Sequence, residues 1–150
     1  MTTIVCSRSE MACDLQMTIH QQFKVKAKTK IYLIEPHDLH FAHESFIMGF
    51  CGSATEIIQV VDFYERPELY KDIPRTKNLQ GLVLTKSGKI FQFDTPSQWL
   101  AVEGNFAAMG SGAPSAYGAL HVGASPKEAV QAAMKVDPFT GMGTKVLSFK

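Results

Sequence analysis

Long hydrophobic runs are missing from this sequence. No stretch approaches the ~20 consecutive apolar residues of a membrane-spanning helix, and Arg8, Glu10 and Asp14 interrupt any signal peptide. A membrane partner is therefore not expected. An excess of one charge is missing too: 15 Lys and Arg stand against 14 Asp and Glu, a net charge of +1. That balance implies no strong basic face, so nucleic acid is not an expected partner. Cysteines are few and odd in number. Cys6, Cys13 and Cys51 lie in apolar segments, which argues against a disulfide framework and fits a cytoplasmic protein with reduced, buried thiols. No G-x-x-x-x-G-K-[ST] loop exists, so the chain itself should not hydrolyse ATP. Nor is there a G-x-S-x-G elbow. In Met109-Gly110-Ser111-Gly112, Met109 takes the first glycine's place, and no His–Asp pair is placed to support Ser111 as a nucleophile. Internal repeats and low-complexity segments are absent, and no cofactor is implied.

What is present is an ordinary globular balance, 45% hydrophobic and 19% charged over 150 residues, which suits one domain with a sizeable core. Thr3 to Ser7 reads as a strand, Arg8-Ser9-Glu10 as a turn, and Met11 to Asp14 as the returning strand of a hairpin. Leu15 to Ala27 is mixed and gives no clear element. Lys30 to Ile34 is a strand closed by Glu35-Pro36, and a strand pair over Leu39–Ala42 and Ser45–Phe50 is expected after it. Ser53 to Glu65 is helical: Ile57, Val60, Val61 and Tyr64 recur at helical spacing, and Ser53 with Glu56 forms a capping box. Arg66 to Asn78 carries Pro67 and Pro74 and holds at most a short helix. Leu82–Thr85 and Ile90–Phe93 make a hairpin about Lys86-Ser87-Gly88, and Pro96–Glu103 is a loop with some strand character. Phe106–Met109 is a buried strand, Pro114–Val122 a small-residue helix, and Ser125-Pro126-Lys127-Glu128 caps a helix that runs to Val136. Asp137–Gly143 is a loop before a last strand, Thr144–Phe149. Mostly apolar strands call for sheets covered on both faces, which two stacked sheets between helix layers would satisfy.

The start of the chain carries its own chemistry. Thr2 follows Met1 and is small enough for Met1 to be removed. A free N-terminal threonine then holds both nucleophile and base: the hydroxyl attacks, and the α-amine, with an ordinary pKa of about 7.7–8.0, accepts the proton. Thr3-Ile4-Val5 suits a buried strand that fixes this terminus.

Several short blocks, in order along the chain, resemble the bacterial proteasome-like peptidase HslV and, more broadly, proteasome β-subunits. They are Thr2-Thr3-Ile4-Val5, Asp14, Lys30-Ile31, Gly49-Phe50-Cys51-Gly52-Ser53-Ala54, Met109-Gly110-Ser111-Gly112 and Asp137-Pro138-Phe139-Thr140-Gly141. The resemblance implies an α+β, four-layer αββα sandwich of the N-terminal nucleophile hydrolase type, with residues 1–150 as its single domain. It implies Thr2 as nucleophile, Lys30 as the ammonium that lowers the hydroxyl's pKa, and Asp14 as the ion-pair partner of Lys30. Gly49 is expected to offer its N–H to the oxyanion. Ser111, Asp137 and Thr140 are expected to orient the terminal amine, although the family usually has Ser or another small residue at the Thr140 position. Ile47 and Cys51 share strand parity with Gly49 and are expected to line the specificity pocket, favouring apolar or small side chains. Lys28 is an alternative match to Lys30; Lys30 is preferred because Ile31 follows it and its distance from Asp14 fits.

The resemblance further implies a threonine-type endopeptidase in a homo-oligomeric ring or double ring, acting on unfolded polypeptide, with an ATP-dependent unfoldase as partner. The sequence departs from that pattern in three places. The Thr3–Asp14 hairpin is shorter, the Lys30–Gly49 stretch is longer, and the first helix pair is reduced because Arg66–Asn78 has no room for a full second helix. Two other functions stay open: an inactive structural or adaptor ring protein that retains Met1, and an amidase acting on small amides. His37, His40 and His43, with Asp38 and Glu44, form an H-x-x-H-x-x-H run. Pro36 and strand-like flanks put it on a loop or strand, where odd and even positions point oppositely, so no metal site is expected.

Overall fold

The structure is a computed structural model that describes residues 2–19, 22–37 and 43–149. Its first half runs β1 (Thr3–Ser7), β2 (Glu10–Asp14), β3 (Gln16–Ile19), β4 (Phe23–Lys26), β5 (Ile31–Ile34), β6 (Phe46–Gly52) and α1 (Ala54–Glu65), followed by a 3-10 turn over Pro67–Leu69. The second half runs β7 (Leu79–Thr85), β8 (Ile90–Thr95), β9 (Gln98–Ala101), β10 (Phe106–Gly110), α2 (Ala113–His121), α3 (Pro126–Val136) and β11 (Thr144–Ser148).

The strands form a four-stranded sheet ordered β10-β1-β2-β11, a five-stranded sheet ordered β5-β6-β7-β8-β9, and a separate β3-β4 pair, all antiparallel. The stretch from Leu15 to Ala27, unreadable in sequence, is thus mainly the β3-β4 hairpin. The expected strand Leu39–Ala42 lies outside the described residues.

Strand alternation explains the core. On β1 and β2, Ile4, Cys6, Met11 and Cys13 pack with Ile31, Ile47, Leu82, Leu84 and Ile90 of the five-stranded sheet. The intervening Val5 and Ala12 turn the other way, onto Ala116, Leu120, Ala129 and Val130 of α2 and α3. On β6, Phe46, Met48 and Phe50 leave the sheet interface and meet Val60, Val61 and Tyr64 of α1. Each long strand is apolar on both faces because each face meets a different apolar cluster. Burying a residue such as Phe46, Ile4 or Met48 completely contributes about 1.5–3 kcal/mol.

Helix starts follow local chemistry. Ser53 accepts from the Glu56 N–H at 3.4 Å, and Ser125 accepts from the Glu128 N–H at 3.2 Å. The capping box at Ser53 is only half made. The Glu56 carboxylate instead accepts the N–H groups of Lys77 (2.7 Å) and Asn78 (2.9 Å), tying the loop before β7 to α1. After α1, Arg66–Asn78 contains only the Pro67–Leu69 turn, as its prolines require.

Candidate active site

Asp14 ends β2, and its carboxylate is fully buried. One oxygen accepts from the Thr3 N–H and the Lys30 ammonium, both at 2.9 Å. The other accepts from the N–H groups of Gly141 (3.1 Å) and Gln16 (3.2 Å). Lys30, 5% exposed, also donates to the Gln16 carbonyl. A buried ammonium is tolerable only with such a partner. One carboxylate therefore ties together the start of β1, the start of β3, the loop before β11 and the lysine before β5.

A second cluster forms where β10 ends and α3 exits. Asp137 accepts from the Ser111 hydroxyl and the Thr140 hydroxyl, both at 2.5 Å, and from the Phe139 N–H at 3.1 Å. Partial burial opposes ionisation of Asp137, but these donors prevail and hold its pKa below the ordinary carboxylate range. The Thr140 proton is committed to Asp137. The Thr3 hydroxyl, 2.6 Å from Thr140 Oγ1, must then donate to Thr140 while accepting from the Gly112 N–H at 3.1 Å. A directed chain of hydroxyls runs from Gly112 through Thr3 and Thr140 to Asp137. Thr3 was not marked by the sequence. Nothing but its position beside Thr2 singles it out.

Thr2 sits just before β1, between these clusters. Its carbonyl accepts from the Ser111 N–H at 3.0 Å. Gly110 makes that close approach possible: φ is +99°, and a Cβ there would lie 1.6 Å from the Thr2 carbonyl oxygen. Thr2 is 7% exposed and lines two cavities. The larger, about 820 Å³, also touches Cys51, Gly52, Asn78, Asp94 and Ser111. The smaller, about 270 Å³, also touches Met17, Lys28, Lys30, Phe50, Gly52 and Ile57. The structure thus gathers Thr2, Asp14, Lys30, Ser111, Asp137 and Thr140 about the chain's start. The two candidate lysines also separate: Lys30 is buried on Asp14, whereas Lys28 is exposed.

Gly49 requires a correction. It lies inside the sheet interface, where a Cβ would meet Ile4, Met11 and Ile31 within 3.0 Å. The Phe50 N–H donates toward β5, to the Lys30 carbonyl at 3.2 Å. Alternation turns the Gly49 N–H to β7, opposite Leu82, so it is committed to the sheet. The glycine that borders both cavities is Gly52. By the same alternation its N–H faces away from β7, beyond the point where β5 pairing begins at Ile31. Its φ is +126°, and a Cβ would fall 1.9 Å from the Asn78 carbonyl oxygen. The signal for Gly52 was present: it directly precedes the helix cap Ser53.

Ile47 also requires a correction, because it is fully buried between the sheets and lines neither cavity. Cys51, of the same parity, reaches the larger one. Burial raises the pKa of its thiol. His37 Nε2 lies 3.4 Å from Glu68 Oε2, and His40 lies outside the described residues. Among the described residues no helix is long and apolar enough to cross a membrane.

No family model and no curated protein matches the sequence. Solved structures do resemble the fold. BPH of Thiobacillus denitrificans in complex with epoxomicin aligns with a TM-score of 0.68 and 17% identity, over 99% of this chain and 98% of that one. Anbu of Hyphomicrobium sp. strain MC1, as its Gly-1 mutant, aligns with a TM-score of 0.71 and 11% identity, over 100% of this chain and 82% of that one. These likenesses establish that the chain shares an α+β fold with BPH and Anbu.

Proposed function

We propose that the chain is a threonine-type endopeptidase subunit, a compact four-layer αββα sandwich with a reduced first helix pair. Removal of Met1 makes it active. The observation that carries this reading is the position of Thr2, between two cavities and beside a buried Lys30–Asp14 pair. The Thr2 hydroxyl oxygen bonds to the scissile carbonyl carbon while the freed α-amine takes its proton. Lys30 favours the developing alkoxide electrostatically. Gly52, in place of Gly49, donates its N–H to the oxyanion, a contact worth roughly 2.7–4 kcal/mol in such sites. The C–N bond then breaks, the leaving amine takes the proton, and an ester to Thr2 remains. Water cleaves the ester and restores the hydroxyl. Ser111, Asp137 and Thr140 hold the amine in place. Thr3 positions Thr140.

The BPH neighbour's complex with epoxomicin supports the choice of probe. Assembly into a homo-oligomeric ring or double ring, an ATP-dependent unfoldase partner and unfolded polypeptide as substrate all belong to the same proposal. Intact-mass measurement of the purified protein, followed by epoxomicin labelling and peptide mapping, tests it. The expected result is loss of Met1 and an adduct on Thr2. Retained Met1 would favour an inactive ring protein. Turnover of small acyl-amides by a monomer without peptide cleavage would favour an amidase.

A further inference from the structure

The smaller cavity beside Thr2 carries an uncompensated positive charge. Lys30 and Asp14, paired at 2.9 Å, together add no net charge to it. Lys28, at the same cavity, is exposed and has no ion-pair partner among the described residues. Among the described residues no carboxylate lines this cavity, whereas the larger one holds both Asp94 and Lys77. Lys24 and Lys26 of β4 stand opposite Thr18 and Gln16, and Lys28 follows two residues on. Alternation sets Lys24 and Lys26 on one strand face, and both are exposed and unpaired among the described residues. The face next to them differs: Met17, Ile19, Phe23 and Val25 are apolar. Inside the cavity, Met17, Phe50 and Ile57 offer apolar surface.

We infer that the smaller cavity selects an acidic side chain, best a glutamate, on the acyl side of the cut bond, with Lys28 as the recognising cation. This rests on the proposed peptidase function. The volume of about 270 Å³ admits one side chain, so the extended peptide must continue elsewhere. A glutamate places its methylenes against the apolar surface and its carboxylate near the Lys28 ammonium. Lys26 and Lys24, outside the cavity and two and four residues before Lys28, add positive charge nearby and raise the local concentration of acidic segments. The expectation of an apolar or small side chain came from Ile47 and Cys51, neither of which reaches this cavity.

The test uses protein lacking Met1 and fluorogenic peptides that differ only in Glu, Gln, Leu or Lys before the reporter. The expected kcat/KM for Glu exceeds that for Gln by about three- to fivefold at 50 mM salt, as an exposed ion pair allows, and the ratio shrinks at 500 mM. Lys28→Gln should bring the ratio toward one, and Lys28→Glu should favour the Lys peptide. A wild-type ratio at or below one, or a ratio unchanged in Lys28→Gln, overturns the inference. A second measurement separates it from the peptidase reading. Thr2→Ala protein is titrated with dye-labelled peptides ending in Glu or Gln. Preferential, salt-sensitive binding of the Glu peptide supports the pocket even where no epoxomicin adduct forms; equal binding overturns it.

Discussion

Asp14→Ala should cost most of the stability of this fold, and the structure says why. The carboxylate has no exposed surface and accepts from Thr3, Lys30, Gln16 and Gly141. Removing it leaves the Lys30 ammonium buried without its counter-charge, a loss of about 3–5 kcal/mol. Orphaned backbone N–H groups each add up to about 1–3 kcal/mol, less where water enters the new space. Against a total stability of about 5–15 kcal/mol, a loss of at least 4 kcal/mol is expected, roughly. Asp14→Asn should recover little. Every contact made to the carboxylate is a donor, so an amide NH2 must face another N–H or the ammonium.

The discriminating variant is Asp14→Ala combined with Lys30→Met, which removes the stranded charge and keeps the stem volume. Urea unfolding of wild type, both single variants and the double variant closes a cycle. The double variant should be more stable than Asp14→Ala alone by about 2 kcal/mol or more. If it is less stable, the Lys30 charge is not what Asp14 compensates, and the account of the site's scaffold fails.

Gly52→Ala should destabilise the fold by several kcal/mol and abolish peptidase activity, because φ is +126° and the Asn78 carbonyl occupies the Cβ position; thermal unfolding and epoxomicin labelling read the two effects. Stability should also fall in alkali. Burial pushes the Cys6 thiol up to about 12, against a weaker opposing hydrogen bond from Ala107, so the folded state keeps a proton that the unfolded chain releases from pH 9. The contribution is complete below pH 9 and declines by up to about 1.4 kcal/mol per pH unit toward 12. Urea midpoints between pH 8 and pH 10.5 should drop less steeply in Cys6→Ala, and parallel slopes would refute the assignment.

The sequence was most legible where one physical rule acted alone. Helical spacing at Ile57, Val60, Val61 and Tyr64 found α1, and the caps Ser53 and Ser125 marked two helix starts. The β3-β4 hairpin was not legible, since its apolar Met17, Ile19, Phe23 and Val25 alternate with polar residues but stay partly exposed. Such a strand gives too little burial to show as a periodic core signal. Glu56 misled for a related reason. Its spacing from Ser53 satisfies a capping box, yet two backbone donors 21 and 22 residues on compete for the carboxylate and win it. Local pattern cannot weigh a distant competitor.

The error at Gly49 shows where parity stops being enough. Ile47, Gly49 and Cys51 do lie on one face of β6, as alternation requires. That face is covered by Ile4 and Met11 at Gly49, and opens to the larger cavity only at Cys51. Face follows from odd and even numbering along one strand. Depth depends on where the opposing sheet ends, and that is set by β1 starting at Thr3, 46 residues before Gly49 in the numbering. Donor direction adds a second condition, because neighbouring N–H groups point to opposite strands. Only Gly52 meets both: it borders the cavities shared with Thr2, and its N–H lies past the pairing of β5 with β6. A donor for an oxyanion has to be unspent by the sheet, so it belongs at the last residue of the strand, and a glycine in the strand's middle cannot supply it.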